Sequence, residues 1–306
     1  MTSANHSSLV RRGFLAITVA GLLWGTTGMV LQFVRRSSEL SPVSVCFYRM
    51  AIAALVLLVA TRRQLGPVLT AARSQPWRIV VVGLGVSAFQ ALYFVAVAWG
   101  GVAVATVVGL GVPPVALAGW EAIRARRLPP RATLCGVLAA VAGLALVSGL
   151  GASPAGTAPR PFLGVAAAVG GGLAFAITSV LSRRVMREID SMLLTTASTA
   201  IAAVTLLPVA LLSGGFAVPT GFATDGMLLY MGVFATALAY VLYNGGLRTT
   251  TGSTAAVLTL AEPLAATLLA VAVLGERLSP ASMAGVLLLL GAVALAHLFP
   301  APEPVG

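Results

Sequence analysis

A single carboxylate interrupts the most apolar part of the sequence. Residues 253–274 are long and apolar enough to cross a bilayer, which takes about 20 residues, and Glu262 is the only charged residue among them. A charge at mid-membrane costs about 2.5 to 3.5 kcal/mol on insertion scales, so such residues usually face a protein interior or a wet cavity. Pro263 follows directly, frees a backbone carbonyl and permits a bend. An acid beside a helix break indicates a transport site, where Glu262 is a protonatable coupling group or the partner of a cationic substrate group. Alternatively, the carboxyl only ties two helices together.

A base also lies inside an apolar segment. Arg49 is seven residues into the segment 42–60, about 10 Å deep at 1.5 Å per residue. Its planar guanidinium could hold a substrate carboxylate through two parallel hydrogen bonds. It could equally reach outward to water or form a structural pair with Glu262. One acid and one base in a neutral interior would suit a zwitterionic or weakly polar substrate.

Polar aromatic and amide side chains recur at helical spacing. Tyr240, Tyr243 and Asn244 share one helix face, and so do Gln90 and Tyr93. Polar groups at membrane depth should point toward the protein interior, although the tyrosines could belong to an interfacial aromatic belt.

Trp24 lies too deep for such a belt and is expected to line a cavity or to pack. Thr195, Thr196 and Thr199 are expected to bond between helices. Two glycine sets, 170–172 and Gly21, Gly25 and Gly28, mark close helix contacts. The predicted substrate-binding residues are Glu262, Arg49, Trp24, Gln90, Tyr93, Tyr240, Tyr243 and Asn244.

Other chemistry finds little support in the sequence. His6 and His297 lie at opposite chain ends, which excludes a histidine metal cluster or a histidine-based triad. Two cysteines within or beside apolar segments give neither a disulfide framework nor a metal site. The chain has no phosphate-cradling Gly-Lys loop, so ATP is not expected to drive it directly. Glu276 and Arg277 are expected to form a loop ion pair. We therefore expect no cofactor, no metal and no enzymatic activity.

Composition places these residues in a membrane protein. Of 306 residues, 58% are hydrophobic and only 9% charged, which is typical of an integral membrane chain. The net charge of +11 would suggest a nucleic-acid partner in a soluble protein. Here the 19 basic residues, all arginine, sit in short gaps between apolar segments, so membrane orientation explains them and no nucleic acid is expected. The partners expected are the lipid bilayer and a small-molecule substrate.

The pattern predicts an all-α protein with ten transmembrane helices. A linker over 151–161, rich in Gly, Pro, Ala and Ser, divides it into a first half, 1–150, and a second half, 162–306. The predicted spans are 13–34, 42–60, 78–98, 102–120, 132–150, 162–182, 192–212, 226–247, 253–274 and 280–299.

Arginine distribution predicts the orientation. With the N-terminus in the cytoplasm, fourteen arginines fall inside and four outside, which favours both termini inside. Arg11-Arg12 and the apolar run after them resemble a twin-arginine export signal, but a first helix with cytoplasmic arginines explains the same pattern.

The two halves resemble each other in sequence. A shift of 150 residues places Tyr93 on Tyr243, Pro113 on Pro263, Arg127-Leu128 on Arg277-Leu278 and Pro130 on Pro280. Because each half has an odd number of helices, the second must enter the membrane upside down relative to the first. Inverted repeats of this kind are a feature of transporters, with the substrate site at mid-membrane between the halves.

These motifs resemble the EamA family of the drug/metabolite transporter superfamily. The resemblance rests on Glu262-Pro263-Leu264, on residues 274–279 with the letters LGERLS, on Gly285, and on a weaker copy from Pro113 to Gly136. That copy lacks counterparts of the two acids Glu262 and Glu276. The resemblance implies a carrier of small metabolites in the cytoplasmic membrane, often an exporter, with a cavity lined by helices 1–4 and 6–9 and with helices 5 and 10 peripheral.

The resulting hypothesis is a secondary active transporter that exports small metabolites or drugs by alternating access, with proton coupling through Glu262. The alternatives are a facilitative exchanger or uniporter of amino-acid-like or nucleoside-like metabolites, a membrane-embedded enzyme, and a non-transporting partner or sensor. Monomer and homodimer both stay open. The expected location is the bacterial cytoplasmic (inner) membrane, with multiple passes.

Overall fold

The described part of the chain is helical throughout. A computed structural model describes residues 3–64, 66, 76–148, 159–213, 216–275 and 278–298, and no strand occurs among them. Nine helices there are long and apolar enough to cross a membrane. The predicted fifth span is a shorter apolar helix of 17 residues, about 25 Å long, against a hydrocarbon core of about 30 Å. The prediction of an all-α membrane protein is confirmed. The predicted linker lies mostly outside the described residues, as do Glu276 and Arg277.

The helices follow the predicted spans closely. Only the first is much longer than predicted, because it begins ten residues earlier. The bounds are α1 Ser3–Ser37, α2 Pro42–Ala60, α3 Pro76–Gly100, α4 Val102–Ala125, α5 Arg131–Val147, α6 Pro161–Val185, α7 Ser191–Leu212, α8 Phe222–Leu247, α9a Gly252–Leu258, α9b Ala261–Leu274 and α10 Pro280–Leu298.

Local sequence explains where the helices begin. Four of them (α2, α3, α6 and α10) start at a proline, whose fixed φ suits the first helical position and whose missing N–H is not needed there. Side chains cap other N-termini: Asp190 accepts a hydrogen bond from the backbone N–H of Met192 at 2.9 Å, and Thr251 accepts one from that of Thr254 at 3.2 Å. Gly101 joins α3 to α4 with φ +86°, a conformation that favours glycine.

The ninth span breaks where Pro263 predicts a bend. Proline cannot donate to the carbonyl of Thr259 four residues earlier, and the N–H of Glu262 donates to that carbonyl instead, at 2.9 Å. Leu260 likewise bonds back three residues, to Val257. The span is therefore two helices, α9a and α9b, joined by a tight turn. The eighth span has its own irregularity, a π-helical segment over Val233–Leu238.

The helices of the first half pack mainly on those of the second. The first helix, α1, packs on α8 and on α9, while α6 packs on α3 and α4. Two further contacts join α2 to α7 and α5 to α10. Apart from each other, α5 and α10 contact mainly α4 and α9. They therefore lie at the edge of the bundle, as the resemblance implied.

Candidate functional site

Glu262 lies in the first turn of α9b, where α1 meets the helix break. A Cβ added at Gly25 of α1 would lie 2.6 Å from the Cβ of Ala265 and closer still to the carbonyl oxygen of Glu262. Gly21 makes a similar close approach to Thr259. These two predicted glycine contacts are confirmed. The third is wrong, because a Cβ at Gly28 would meet nothing within 4 Å.

Arg49 lies within electrostatic reach of Glu262. Its guanidinium contacts the thiol of Cys46 one turn earlier on α2. It also interacts electrostatically with Glu262 and with Tyr240 of α8. Among the described residues, the side chains of Glu262 and Arg49 form no ion pair within 4.0 Å. Each therefore keeps hydrogen-bonding capacity for another group.

Three predicted aromatic residues form one cluster. The Trp24 ring lies 5.3 Å from that of Tyr240 and 5.5 Å from that of Tyr243, between centroids. Tyr243 is buried, and its hydroxyl is 2.8 Å from the Ser179 hydroxyl on α6. That contact places Tyr243 inside the bundle rather than in an interfacial belt. Phe175 extends the cluster, with its ring 5.7 Å from that of Tyr243.

The predicted amide residues have different environments. Asn244 donates through Nδ2 to Thr195 Oγ1 at 2.9 Å, which ties α8 to α7 and confirms the helix-bonding role predicted for that threonine. Gln90 is 6% exposed, and its Nε2 has no hydrogen-bond partner among the residues described. Tyr93 lies 3.2 Å from Thr106 of α4 through its hydroxyl, and interacts electrostatically with Glu262. The structure thus groups Glu262, Arg49, Trp24, Tyr93, Tyr240 and Tyr243, and Asn244 lines one pocket together with the last two. Among the described residues, no hydrogen bond joins Gln90 to this group.

A pocket that the sequence did not predict lies beside this group. It is enclosed by α3, α6, α7 and α8 and has a volume of about 20 Å³, which is room for a single water molecule. No charged side chain lines it. Its polar lining consists of Thr178, Ser179, Ser182, Ser198, Tyr240, Tyr243 and Asn244. Serine and threonine in membrane helices commonly bond their own backbone, as Ser179 does to the carbonyl of Phe175, so only the packing reveals their shared pocket.

Another carboxylate, that of Glu121, has a defined hydrogen-bond partner. Glu121, near the end of α4, accepts hydrogen bonds from the backbone N–H of Ser253 at 3.1 Å and from its hydroxyl. It thereby satisfies donors at the start of α9a. The described residues contain no group of three or more His, Cys, Asp or Glu side chains that could hold a metal ion. His297, for its part, bonds Thr18 at 3.0 Å.

A bundle of apolar helices with ionisable and aromatic groups at its centre defines a multi-pass membrane protein of the transporter type. The chain belongs to the EamA-like transporter family, whose model matches residues 11–149 and 162–298. The resemblance seen in the motifs is therefore confirmed.

Relatives agree with this assignment, and a solved structure shares the fold. The chain is 30% identical to the uncharacterized transporter YwfM of Bacillus subtilis, over 90% of both proteins. It is 25% identical to the uncharacterized inner membrane transporter YicL of Salmonella typhimurium, over 94% of this chain and 96% of the relative. A crystal structure of another protein, 24% identical, superposes with a TM-score of 0.80 over 94% of this chain and 97% of that one, and shows the fold alone.

Proposed function

We propose that this transporter is a secondary carrier that exports small metabolites or drugs across the bacterial inner membrane, in exchange for protons that bind Glu262. The observation that carries the proposal is the position of this carboxylate. It sits at the break between α9a and α9b, inside the bundle and within electrostatic reach of Arg49, without forming an ion pair with it. A carboxylate that is not neutralised by a partner can take up and release a proton as its surroundings change.

Two oppositely oriented halves, 1–150 and 162–306, would provide the alternating access. The family model matches the chain twice, once in each half, and this supports the division. The packing supports it too. Helices α1, α3 and α4 of the first half correspond to α6, α8 and α9 of the second, so the contacts of α1 with α8 and α9 match those of α6 with α3 and α4. Five helices in each half would then give the halves opposite orientations and a site between them.

The small size of the pocket favours a carrier over a channel. The pocket beside the aromatic cluster holds about one water molecule, so a metabolite can enter only after helices separate. Separation at one membrane face at a time would move a solute without a continuous pore. The arginine count supports cytoplasmic termini.

The test has two stages. Growth of a deletion and an overexpressing strain on amino acids, nucleosides, cationic drugs and sugars identifies the cargo class, since export confers resistance. The purified protein is then placed in vesicles with that cargo and a pH gradient. We expect Glu262→Gln to transport without responding to the gradient, because its amide cannot exchange a proton.

Glu121→Gln is the matched control. It makes the same change on a carboxylate that caps α9a, and its amide oxygen can still accept from Ser253. Transport by this variant should keep its pH dependence. If Glu262→Gln also keeps full pH dependence, proton coupling through Glu262 is wrong. Transport by the unaltered protein that ignores the gradient would instead indicate a facilitative exchanger or uniporter.

A further inference from the structure

Two ion pairs lie beyond one end of the neutral pocket, where α3 and α7 begin and α6 and α8 end. Arg78 at the start of α3 lies 3.6 Å from Glu188 in the α6–α7 connection, measured between Nη1 and Oε1. Arg248 after α8 lies 3.9 Å from Asp190 in the same connection, between Nη1 and Oδ2. We refer to these four residues as the clasp. Its first pair joins the two halves of the chain.

The clasp residues lie only one or two helical turns from the pocket on each element. Val82 lines the pocket one turn after Arg78, and Asn244 lines it one turn before Arg248. Ser182 lies six residues before Glu188. A buried apolar layer formed by Ile79, Val185, Met186 and Ile189 occupies the interval. Pocket, apolar layer and clasp therefore follow one another toward the same face.

Among the described residues, the contacts at the opposite end of the bundle are hydrogen bonds and ring contacts rather than ion pairs. The hydroxyls of Ser37 and Thr224 lie 3.0 Å apart, between the end of α1 and the start of α8. Nearby, the Tyr48 hydroxyl donates to the carbonyl of Ala217 at 2.8 Å, and its ring stacks on Phe216. Because α1 and α6 occupy corresponding places in the two halves, the same junction carries ion pairs at one end and a hydroxyl hydrogen bond at the other.

Charge also limits what can pass beneath the clasp. The pocket offers hydroxyl, amide and aromatic groups but no charged side chain. A solute with a net charge would lose its hydration there without touching a counter-charge, since Arg49, Glu262 and Arg183 act on the pocket only through Tyr240 and Tyr243, and this is costly in a low-dielectric interior. An uncharged solute with hydrogen-bonding groups would exchange water for the serine, threonine and asparagine side chains.

We propose that the pocket is a vestibule that admits uncharged polar solutes between one membrane face and the Glu262 region, and that the clasp is its gate. The proposal rests on the alternating-access mechanism. Both ion pairs are about half exposed, and such pairs contribute roughly 0.2 to 1 kcal/mol. Ion pairs of this strength favour the closed state of the gate and still let it open thermally.

The test measures how fast a reagent reaches a cysteine placed beneath the clasp. Ser182 is 3% exposed and lines the pocket, so Ser182→Cys reports its opening. Cys135, which is exposed, is replaced by serine, and labelling is read by peptide mass spectrometry so that buried Cys46 does not interfere. The probes are methyl methanethiosulfonate and its cationic trimethylammonium-ethyl and anionic sulfonatoethyl analogues.

Opening the clasp should speed labelling by the neutral probe. Glu188→Gln or Arg248→Gln should raise the rate about two- to fivefold, the factor that corresponds to an exposed ion pair. The exchanged pair Arg78→Glu with Glu188→Arg should return the rate toward the original. In the protein with an unaltered clasp, salt at 1 M should raise the labelling rate as Glu188→Gln does, since it screens charges beyond about 3 Å.

Two controls separate gating from general loosening. Glu39→Gln removes a carboxylate from the α1–α2 connection, which corresponds to the α6–α7 connection, and Glu39 forms no ion pair with any described residue. It should leave the rate unchanged. Ala140→Cys, buried where α5 packs near α10, should stay unlabelled in every clasp variant.

The proposal is overturned if Glu188→Gln labels no faster than Glu39→Gln, or if the charged probes react as fast as the neutral one. Labelling needs no cargo and no proton gradient. A failed gate would therefore leave pH-driven transport through Glu262 untouched, and failed proton coupling would leave the labelling pattern intact.

Discussion

Gln90 and Asn244 show two outcomes for a carboxamide buried in this bundle. Asn244 uses its Nδ2 to bond Thr195, and so joins two helices. Gln90 is equally buried, yet its Nε2 has no hydrogen-bond partner in the described part of the chain. A buried donor without a partner costs about 1 to 3 kcal/mol. Such a group is retained most readily where a solute supplies the missing acceptor, so Gln90 stays a predicted substrate-binding residue.

Replacing Gln90 should therefore separate stability from transport. We expect Gln90→Leu to stabilise the cargo-free protein by roughly 1 kcal/mol, because the orphaned donor is removed at similar volume. The same variant should transport less well. The measurements are the thermal unfolding midpoint in detergent and the uptake rate in vesicles.

Asn244→Leu provides the comparison for that experiment. It breaks the bond to Thr195 and should lower the unfolding midpoint. A Gln90→Leu protein that is both less stable and fully active would show that Gln90 has a structural role.

At the scale of the elements, the decisive contact is between α1 and the break in the ninth span. Pro263 interrupts the backbone ladder and exposes the turn around Thr259, and α1 packs against this turn through Gly21 and Gly25. The glycines allow the backbones to approach closely, as is common between membrane helices. The position of Glu262 thus depends on α1 as well as on its own helix.

Gly25→Ala should disturb this contact. The new methyl group would overlap the backbone of Glu262 and the side chain of Ala265, and overpacking of this kind costs about 1 to 3 kcal/mol. We expect a lower unfolding midpoint and slower transport. Gly28→Ala on the same helix is the matched control, since open space surrounds that position. Equal behaviour of the two variants would contradict the close contact.

At the scale of the whole molecule, the proposed mechanism requires the two halves to enter the membrane from opposite sides. The helix pairs that join them support this arrangement, and five spanning helices in each half would produce it. The arginine count predicts that both termini face the cytoplasm.

Reporter fusions test that orientation directly. Alkaline phosphatase is active only outside the cytoplasm and green fluorescent protein folds well only inside. We expect an active phosphatase when it is fused after residue 155 and an inactive one after residue 306. Green fluorescent protein should give the reverse pattern. If both positions report the cytoplasmic side, the second half enters the membrane from the same side as the first and the alternating-access proposal loses its basis.

By itself, the sequence determined the properties that depend on local composition and order. The apolar spans, the helix starts at prolines, the break at Pro263 and the family motifs all follow from residues close together in the chain. Glu262 was identifiable for the same reason, since one charge in a long apolar run has to be explained.

Only the tertiary structure decided which side chains meet. The neutral pocket, the bond from Asn244 to Thr195 and the clasp join residues that lie far apart in sequence, and helical spacing says nothing about how far each helix rotates or slides against its neighbour. The contrast between Gly25 and Gly28 has the same origin. Both are glycines at helical spacing on α1, but one faces the first turns of α9b and the other faces open space.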